Sequence, residues 1–485
     1  MKRQFFKLSL AAWLSVSSIV SQSPAQTKSA TAQEARRMDQ VVRVFADDAQ
    51  KSFMGSVLVA RGSEVLFAKG YGMANLEWDI PNTPATKFYL ASLSKQFTAA
   101  AILLLGERGK LRVSDPIKSY LPDAPAAWDG ITFHHLLSHT SGITTGSPGD
   151  RSTRTMPSRP EINVARFRNM PLEFPPGTKF GYSNSGYQLL AHLIEKISGQ
   201  PFEDFLQVNI FEPLGMKDSG SYTHAAVIPR RASGYARPRD TRNRQELPDS
   251  PLENAPFIDF TNGMGAGGLY STVEDLYRWT QGLFGGKLLS AASLARMTTP
   301  VMTTPVQNRY AYGLGVGTVE GRRRFSHAGR MPGFDTMLHY YPDSKVTVAV
   351  LANIMDPETS PAVRPALGDI VEWLGALAHG GSVSLPTERK AISLDAATLA
   401  GYAGVYESTA PTTGAAGRET RLEYTVTLEA GRLYLMGPRL PKSQMHAEAK
   451  DRFFLKERDA QIEFTRDETG RVAALRLGRI RATRK

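Results

Sequence analysis

Ser92-Leu93-Ser94-Lys95 is the one S-x-x-K in the chain, and its spacing carries a chemical meaning. On a helix, residues three apart share a face, so Lys95 can reach the Ser92 hydroxyl. A serine hydroxyl is a poor nucleophile until something takes its proton. A partly desolvated lysine beside another cation can be neutral and serve as that base. At a helix start, Ser92 also has free backbone N–H groups directed at a reacting carbonyl. The flanking residues Phe88-Tyr89-Leu90-Ala91 and Gln96-Phe97-Thr98-Ala99 are largely apolar, which predicts a buried helix start rather than an exposed ion-pair face. Other hydrolytic signatures are missing. Gly181-Tyr182-Ser183-Asn184-Ser185 and Thr145-Gly146-Ser147-Pro148-Gly149 each miss a G-x-S-x-G elbow by one position. There is no H-E-x-x-H, and the absence of cysteine excludes disulfides, thiol nucleophiles and thiolate metal sites. His134 and His135 are adjacent, so their side chains diverge, and no third ligand is near in sequence; no metal or other cofactor is expected. His139 reads as a loop-bracing hydrogen bonder. Gly265 to Gly268 lacks the Lys-Ser/Thr of a phosphate loop and reads as close backbone packing.

In this region the chain resembles the serine hydrolases related to class C β-lactamases, D-Ala-D-Ala carboxypeptidases, D-aminopeptidases and some esterases. After the S-x-x-K comes Ile131-Thr132-Phe133-His134-His135-Leu136-Leu137-Ser138-His139-Thr140-Ser141-Gly142, similar to the loop before the family's second motif. Tyr182-Ser183-Asn184 matches that motif, and His327-Ala328-Gly329, followed by Pro332-Gly333-Phe334, matches the third. Pro213-Leu214-Gly215-Met216 and Gly265 to Ser271 are further landmarks, and the likeness runs from roughly residue 35 to 355. The resemblance implies that Ser92 is acylated and that Lys95 is its immediate base. It implies that Tyr182 relays the proton to the leaving group and activates water, which a phenol can do if adjacent cations favour its anion. Asn184 would hold the substrate amide and orient Lys95, and His327 and Gly329 would line the substrate. The backbone N–H groups of Ser92 and Arg330 would form the oxyanion hole. One departure matters: class C β-lactamases carry lysine where this chain has His327. A histidine is a weak partner for a β-lactam carboxylate near neutral pH. The departure ranks peptidase or esterase activity above β-lactamase activity; β-lactamase or D-Ala-D-Ala carboxypeptidase is the alternative reading.

The elements that must position these residues are legible in outline. Ala30 to Lys51 has a helical pattern, and Gly55–Ala60 and Glu64–Ala68 read as a hairpin turning at Arg61-Gly62-Ser63. A helix is predicted from near Ser92, another over Gly186 to Ile197, and a third from Ser271, with Ser271 and Glu274 as a capping box. Phe334–Tyr341 and Lys345–Leu351 are β-rich on either side of Pro342-Asp343-Ser344. Strands at both ends with helices between predict one sheet assembled from the two termini of an α/β domain. With the resemblance, the expected fold is a β-lactamase/DD-peptidase-like domain, an antiparallel sheet flanked by helices plus an all-helical region. Beyond a linker at 379–393, Leu422, Tyr424, Val426 and Leu428 alternate with polar residues, and the pattern returns near Ile462 and Val472. A small antiparallel β domain over 394–485 is predicted. Leu399-Ala400-Gly401-Tyr402-Ala403-Gly404-Val405-Tyr406 resembles the opening of the lipocalin-like barrel found after some of these catalytic domains.

The 485 residues suggest two or three domains. Lys2, Arg3 and Lys7, the apolar stretch Leu8 to Val20 and the small residues Ser23-Pro24-Ala25 read as a signal peptide over 1–25, and predict an exported, periplasmic or secreted protein. No later segment is apolar enough to span a membrane. The net charge of +12 is concentrated in Arg230 to Arg244 and Arg322-Arg323-Arg324, which read as solvated loops or a steering field for anionic substrates. Nucleic-acid binding is not expected. The partner expected is a small-molecule or peptide substrate, cell-wall material among the candidates, with an oligomer possible. A penicillin-binding sensor that turns over little and a non-catalytic cell-wall adhesion protein are the competing readings. The complete Ser92, Lys95, Tyr182 and His327 set favours turnover.

Overall fold

The computed structural model describes residues 24–47, 52–145, 155–223, 225–238, 251–301, 309–355, 366–385, 388–409, 412–413, 419–438, 440–456, 460–478 and 480–485. Its centre is a six-stranded antiparallel sheet, with the strands in the order Gly315–Val319, Arg322–Met331, Phe334–Tyr341, Val346–Ala352, Gly55–Arg61 and Glu64–Tyr71. The early and late segments meet where Gly55 pairs with Ala352 and Arg61 with Val346. Both faces of the sheet are covered. Val57, Val59, Val348 and Val350 pack against the helices Pro24–Ala46 and Ala366–Ala378 through Val41, Phe45, Ile370 and Leu374. Leu58, Ala60, Ala349 and Leu351 face the opposite way, into the helical region. Burial on both faces explains why Val346–Ala352 is apolar at every position but Thr347 instead of alternating.

Two local expectations are corrected. The helix predicted from Ser271 starts one residue later: Thr272 is its N-cap and accepts from the Asp275 backbone N–H, at 3.1 Å. Ser271 instead ends the strand Leu269–Ser271, opposite Phe88, and its hydroxyl meets Ser219 at 2.7 Å. The strand's pairing took priority over the capping box. The opening helix ends at Ala46, short of the predicted Lys51. The signal-peptide reading falls almost wholly on residues 1–23, which lie outside the described residues. Among the described residues no helix is long and apolar enough to cross a membrane.

The C-terminal strands, from Gly404–Ser408 to Ile480–Arg484, close into an eight-stranded barrel, with Tyr406 of the first strand paired to Arg484 of the last. Tyr424 and Val426 point inward as their alternation predicts, and Tyr402, Tyr406, Phe453 and Phe464 fill the interior with them. The chain joining the two bodies is pinned at several points. Leu385 is buried with the helix pair beneath the sheet. Arg37 donates to the Val383 carbonyl at 2.5 Å and to Glu388 Oε2 at 2.6 Å. The Ile392 N–H reaches the Ala447 carbonyl of the barrel at 2.8 Å.

Candidate active site

Ser92 sits on a tight turn between the strand Phe88–Tyr89 and the helix Lys95–Glu107. The turn Ala91–Ser94 is 3-10 in character, so residues three apart stack closely. It is held on both sides: the Leu90 N–H donates to the Leu269 carbonyl at 2.8 Å, and the Leu269 N–H donates to Ser94 Oγ at 3.2 Å. Ala91 has φ +48°, in the left-handed region that disfavours a side chain by about 1–2 kcal/mol. These surroundings impose that conformation, and the next residue, Ser92, is half-buried at the lining of a cavity.

The helix that follows is buried on every side from Lys95 to Leu105. Lys95 has no exposed surface. Its Nζ lies 3.2 Å from Ser92 Oγ, 2.8 Å from Asn184 Oδ1 and 2.8 Å from the Ala266 carbonyl. All three acceptors are neutral oxygens, so nothing offsets the desolvation of an ammonium, and burial holds its pKa well below the ordinary lysine value. Burial alone does what the sequence reading assigned to burial beside a second cation.

Tyr182 and Asn184 arrive from the N-terminus of the helix Asn184–Ser198, capped by Ser183, whose Oγ accepts from the Gly186 N–H. The Tyr182 ring lies 4.9 Å from Lys95 Nζ. Its phenol is pushed up to about 12 by desolvation among its neighbours, although the residue is 36% exposed, with a hydrogen bond to Ser92 pulling the other way. The expectation of a phenol lowered by adjacent cations is therefore corrected, because Lys95, the nearest amine, is itself desolvated. His139 braces this motif: its Nδ1 accepts from the Ser183 N–H at 3.0 Å, and its ring packs 4.2 Å from that of Tyr182. His134 and His135 serve the same loop, through the Tyr312 hydroxyl at 2.6 Å and the Thr132 N–H at 3.2 Å.

The strand Arg322–Met331 forms the opposite wall. A Cβ on Gly329 would fall 2.1 Å from the Leu90 carbonyl oxygen and 3.0 Å from the Ser92 nitrogen, so only glycine lets this strand press against the nucleophile turn. Arg330 turns its guanidinium to Asp335, at 3.0 Å, while the residue lines the same cavity as Ser92. His327 is nearly buried, and both its ring nitrogens meet protein: Nε2 the Tyr310 hydroxyl at 2.9 Å, Nδ1 the Ala328 carbonyl at 2.7 Å. Burial above all pushes it down to about 3, so the imidazole is neutral at physiological pH.

A cavity of about 250 Å3 opens beside Ser92. Asn163, Arg166, Gln188, Asp259 and Asn262 line it with Asn184. Arg166 donates to Asn163 Oδ1 at 3.2 Å and to Asn262 Oδ1 at 2.5 Å, which ties the two loops together. Sequence reasoning named neither these residues nor Tyr310. Gln188 is on the helix of the second motif, Asn163 on the short helix Pro160–Ala165 and Asn262 on the 3-10 turn Phe260–Gly263; neither of these short elements has a period or motif to mark it.

A family model described as Beta-lactamase matches residues 38–371, and one described as a domain of unknown function, DUF3471, matches residues 388–483. A penicillin-binding protein of Bacillus subtilis (strain 168) is 31% identical over 429 residues, covering 85% of this chain and 90% of that protein. Among solved structures, an octameric penicillin-binding protein homologue from Pyrococcus abyssi aligns over 94% of this chain and 99% of its own, with TM-score 0.59 and 24% identity. A D-amino acid amidase from Ochrobactrum anthropi SV3 aligns over 71% and 99%, with TM-score 0.61 and 22% identity. At those identities the two structures bear on the fold alone.

Proposed function

Because this chain belongs to the Beta-lactamase family, we propose that it is an exported serine hydrolase that cleaves amide or ester bonds of peptides or related small acyl compounds through an acyl-enzyme on Ser92. The observation that carries the reading is a fully buried lysine with only neutral oxygens around its Nζ, 3.2 Å from a serine hydroxyl. Neutral Lys95 takes the Ser92 proton as Oγ attacks the carbonyl. The oxyanion lies toward the backbone N–H groups of Ser92 and Arg330. Tyr182, protonated at the start, gives its proton to the leaving group, and Lys95, whose Nζ faces the Tyr182 ring, replenishes it. In deacylation the same groups run in reverse, with water in place of the leaving group. Asn184 keeps Lys95 Nζ aimed at Ser92 and leaves its amide nitrogen for the substrate.

The test is intact-mass spectrometry after exposure to a fluorophosphonate. One adduct on Ser92, absent from Ser92→Ala, is expected, together with loss of all hydrolysis in a variant that still folds. An adduct on Ser147 or Ser183 would overturn the assignment. A panel of p-nitrophenyl esters, D- and L-amino-acid amides, D-Ala-D-Ala peptides and a chromogenic cephalosporin then ranks the substrates. Export rests on the residue types in 1–25. N-terminal sequencing of protein from the periplasm or medium should find a start close to Gln26, and an intact Met1 there refutes cleavage.

A further inference from the structure

Two histidines flank Tyr182, and their hydrogen bonds assign their protons. Ala328 offers His327 a carbonyl, which only accepts, so Nδ1 of His327 carries the proton and donates at 2.7 Å. In a neutral ring Nε2 is then an acceptor, and the Tyr310 hydroxyl, 2.9 Å away, is its donor. His139 has the opposite arrangement. The Ser183 N–H only donates, so Nδ1 of His139 accepts and its proton sits on Nε2. Among the described residues, that Nε2 finds no hydrogen-bond partner, although His139 is 1% exposed. It is enclosed by aromatic rings, with centroids 4.2 Å away at Tyr182, 4.8 Å at Tyr310 and 5.0 Å at Tyr187. His139 itself is held at φ +59°.

Tyr310 is the member common to both halves. Its hydroxyl closes His327, and its ring stands edge-on to Tyr182 at 6.1 Å and against His139. We propose that Tyr310 is a positioning residue: its hydroxyl locks His327 in the Nδ1–H form with no hydrogen left for a ligand, and its ring completes the aromatic wall that fixes the Tyr182 phenol. The locked histidine makes this part of the site suited to substrates that carry no carboxylate there, such as neutral esters and amides. This inference rests on the acyl-enzyme reading for its kinetic consequence but not for the state of His327. The charged or titratable groups facing His327 are Lys95, His139, Tyr182 and Tyr310. Tyr187, whose own proton goes to the Leu137 carbonyl at 2.8 Å, competes as an acceptor for the Tyr310 proton, but an unprotonated imidazole nitrogen is a stronger acceptor than a phenol oxygen, so the proton is directed to Nε2 of His327.

Two variants separate hydroxyl from ring. Tyr310→Phe keeps the wall and frees Nε2 of His327. Tyr310→Leu removes both. Nitrogen-15 spectra of the full-length protein labelled at histidine should show a single Nδ1–H form of His327 with a hydrogen-bonded Nε2, and Tyr310→Phe should abolish that signature. For kcat/KM, Tyr310→Phe should raise the preference for a carboxylate-bearing p-nitrophenyl ester over a neutral one by about three- to tenfold, the scale of one hydrogen bond. Its kcat on the neutral ester should fall less than that of Tyr310→Leu. Tyr310→Leu should lower kcat on both esters by about tenfold or more, with KM for the neutral ester little changed. A wild-type His327 with Nε2–H, or with an Nε2 free of any hydrogen bond, overturns the lock. So does a Tyr310→Phe protein with unchanged spectrum and ester preference. Fluorophosphonate labelling runs alongside: failure to label Ser92 in the wild type defeats the nucleophile assignment, whereas normal labelling with a silent Tyr310→Phe defeats only this inference.

Discussion

At the scale of single residues, the site works by removing water from one amine. Lys95 keeps its proton in the unfolded chain up to about pH 10.4 and gives it up far earlier when folded. Its folded pKa is depressed, so between the two values the unfolded state binds the extra proton and stability rises with pH. Chemical denaturation across pH 6–10 should show that rise in wild type, and Lys95→Met should flatten it. Activity should climb only around the depressed folded value and stay level above it, since only neutral Lys95 accepts the Ser92 proton. Tyr182, at about 12, stays protonated throughout and adds no second limb in that range. Its proton matters most for poor leaving groups. Tyr182→Phe should lower kcat/KM for an amide by about 10²–10⁴-fold, while a p-nitrophenyl ester, whose leaving group needs no proton, should fall much less. Equal losses on both would show that Tyr182 acts elsewhere in the cycle. Ser92 and Lys95 were legible because three-residue spacing on one turn is local information. The state of Tyr182 was not, because it depends on burial supplied by residues far away in sequence.

At the scale of elements, two tight approaches build the site, and both use glycine. The strand carrying Gly329 is pressed onto the nucleophile turn, and a Cβ on Gly265 would meet the Tyr187 carbonyl at 2.4 Å, on the helix of the second motif. Gly329→Ala must push the strand from Ser92, and displacements near 1 Å at a reacting centre cost on the order of 100-fold. Fluorophosphonate labelling of Gly329→Ala should slow to about that degree in a protein that remains folded, and an unchanged rate would mean the strand does not shape the oxyanion side. The sequence marked the strands and helices well, since their periods are strong. It misplaced the Ser271 cap because strand pairing to Phe88 and capping compete for neighbouring residues. The cavity walls at Asn163, Arg166 and Asn262 were illegible because the helix Pro160–Ala165 and the turn Phe260–Gly263 are too short to show a period, and the hydrogen bonds joining them link residues 98 and 96 positions apart.

At the scale of the whole molecule, the connecting segment behaves as a strap. Ending the chain at Gly380 removes Val383, Leu385 and Glu388 from their seats on the opening helix, whereas ending it at Ser393 keeps them. Losing a buried leucine costs about 2–5 kcal/mol, so the shorter form should melt several degrees below the longer, and the longer should label at Ser92 like the full chain. Equal melting points would show that the strap is no part of the first body. Composition and the shift to period-2 strands announced the second body. They did not reveal the strap, whose anchors lie on residues far apart in the chain. The central sheet has a temporal consequence. Gly55–Arg61 finds its partner only at Val346–Ala352, so a growing polypeptide has no way to complete the sheet until nearly the whole first body has left the ribosome. Stalled nascent chains ending at Met331 should therefore never label at Ser92, and released chains should become reactive in a single slow phase, as long-range pairing dictates.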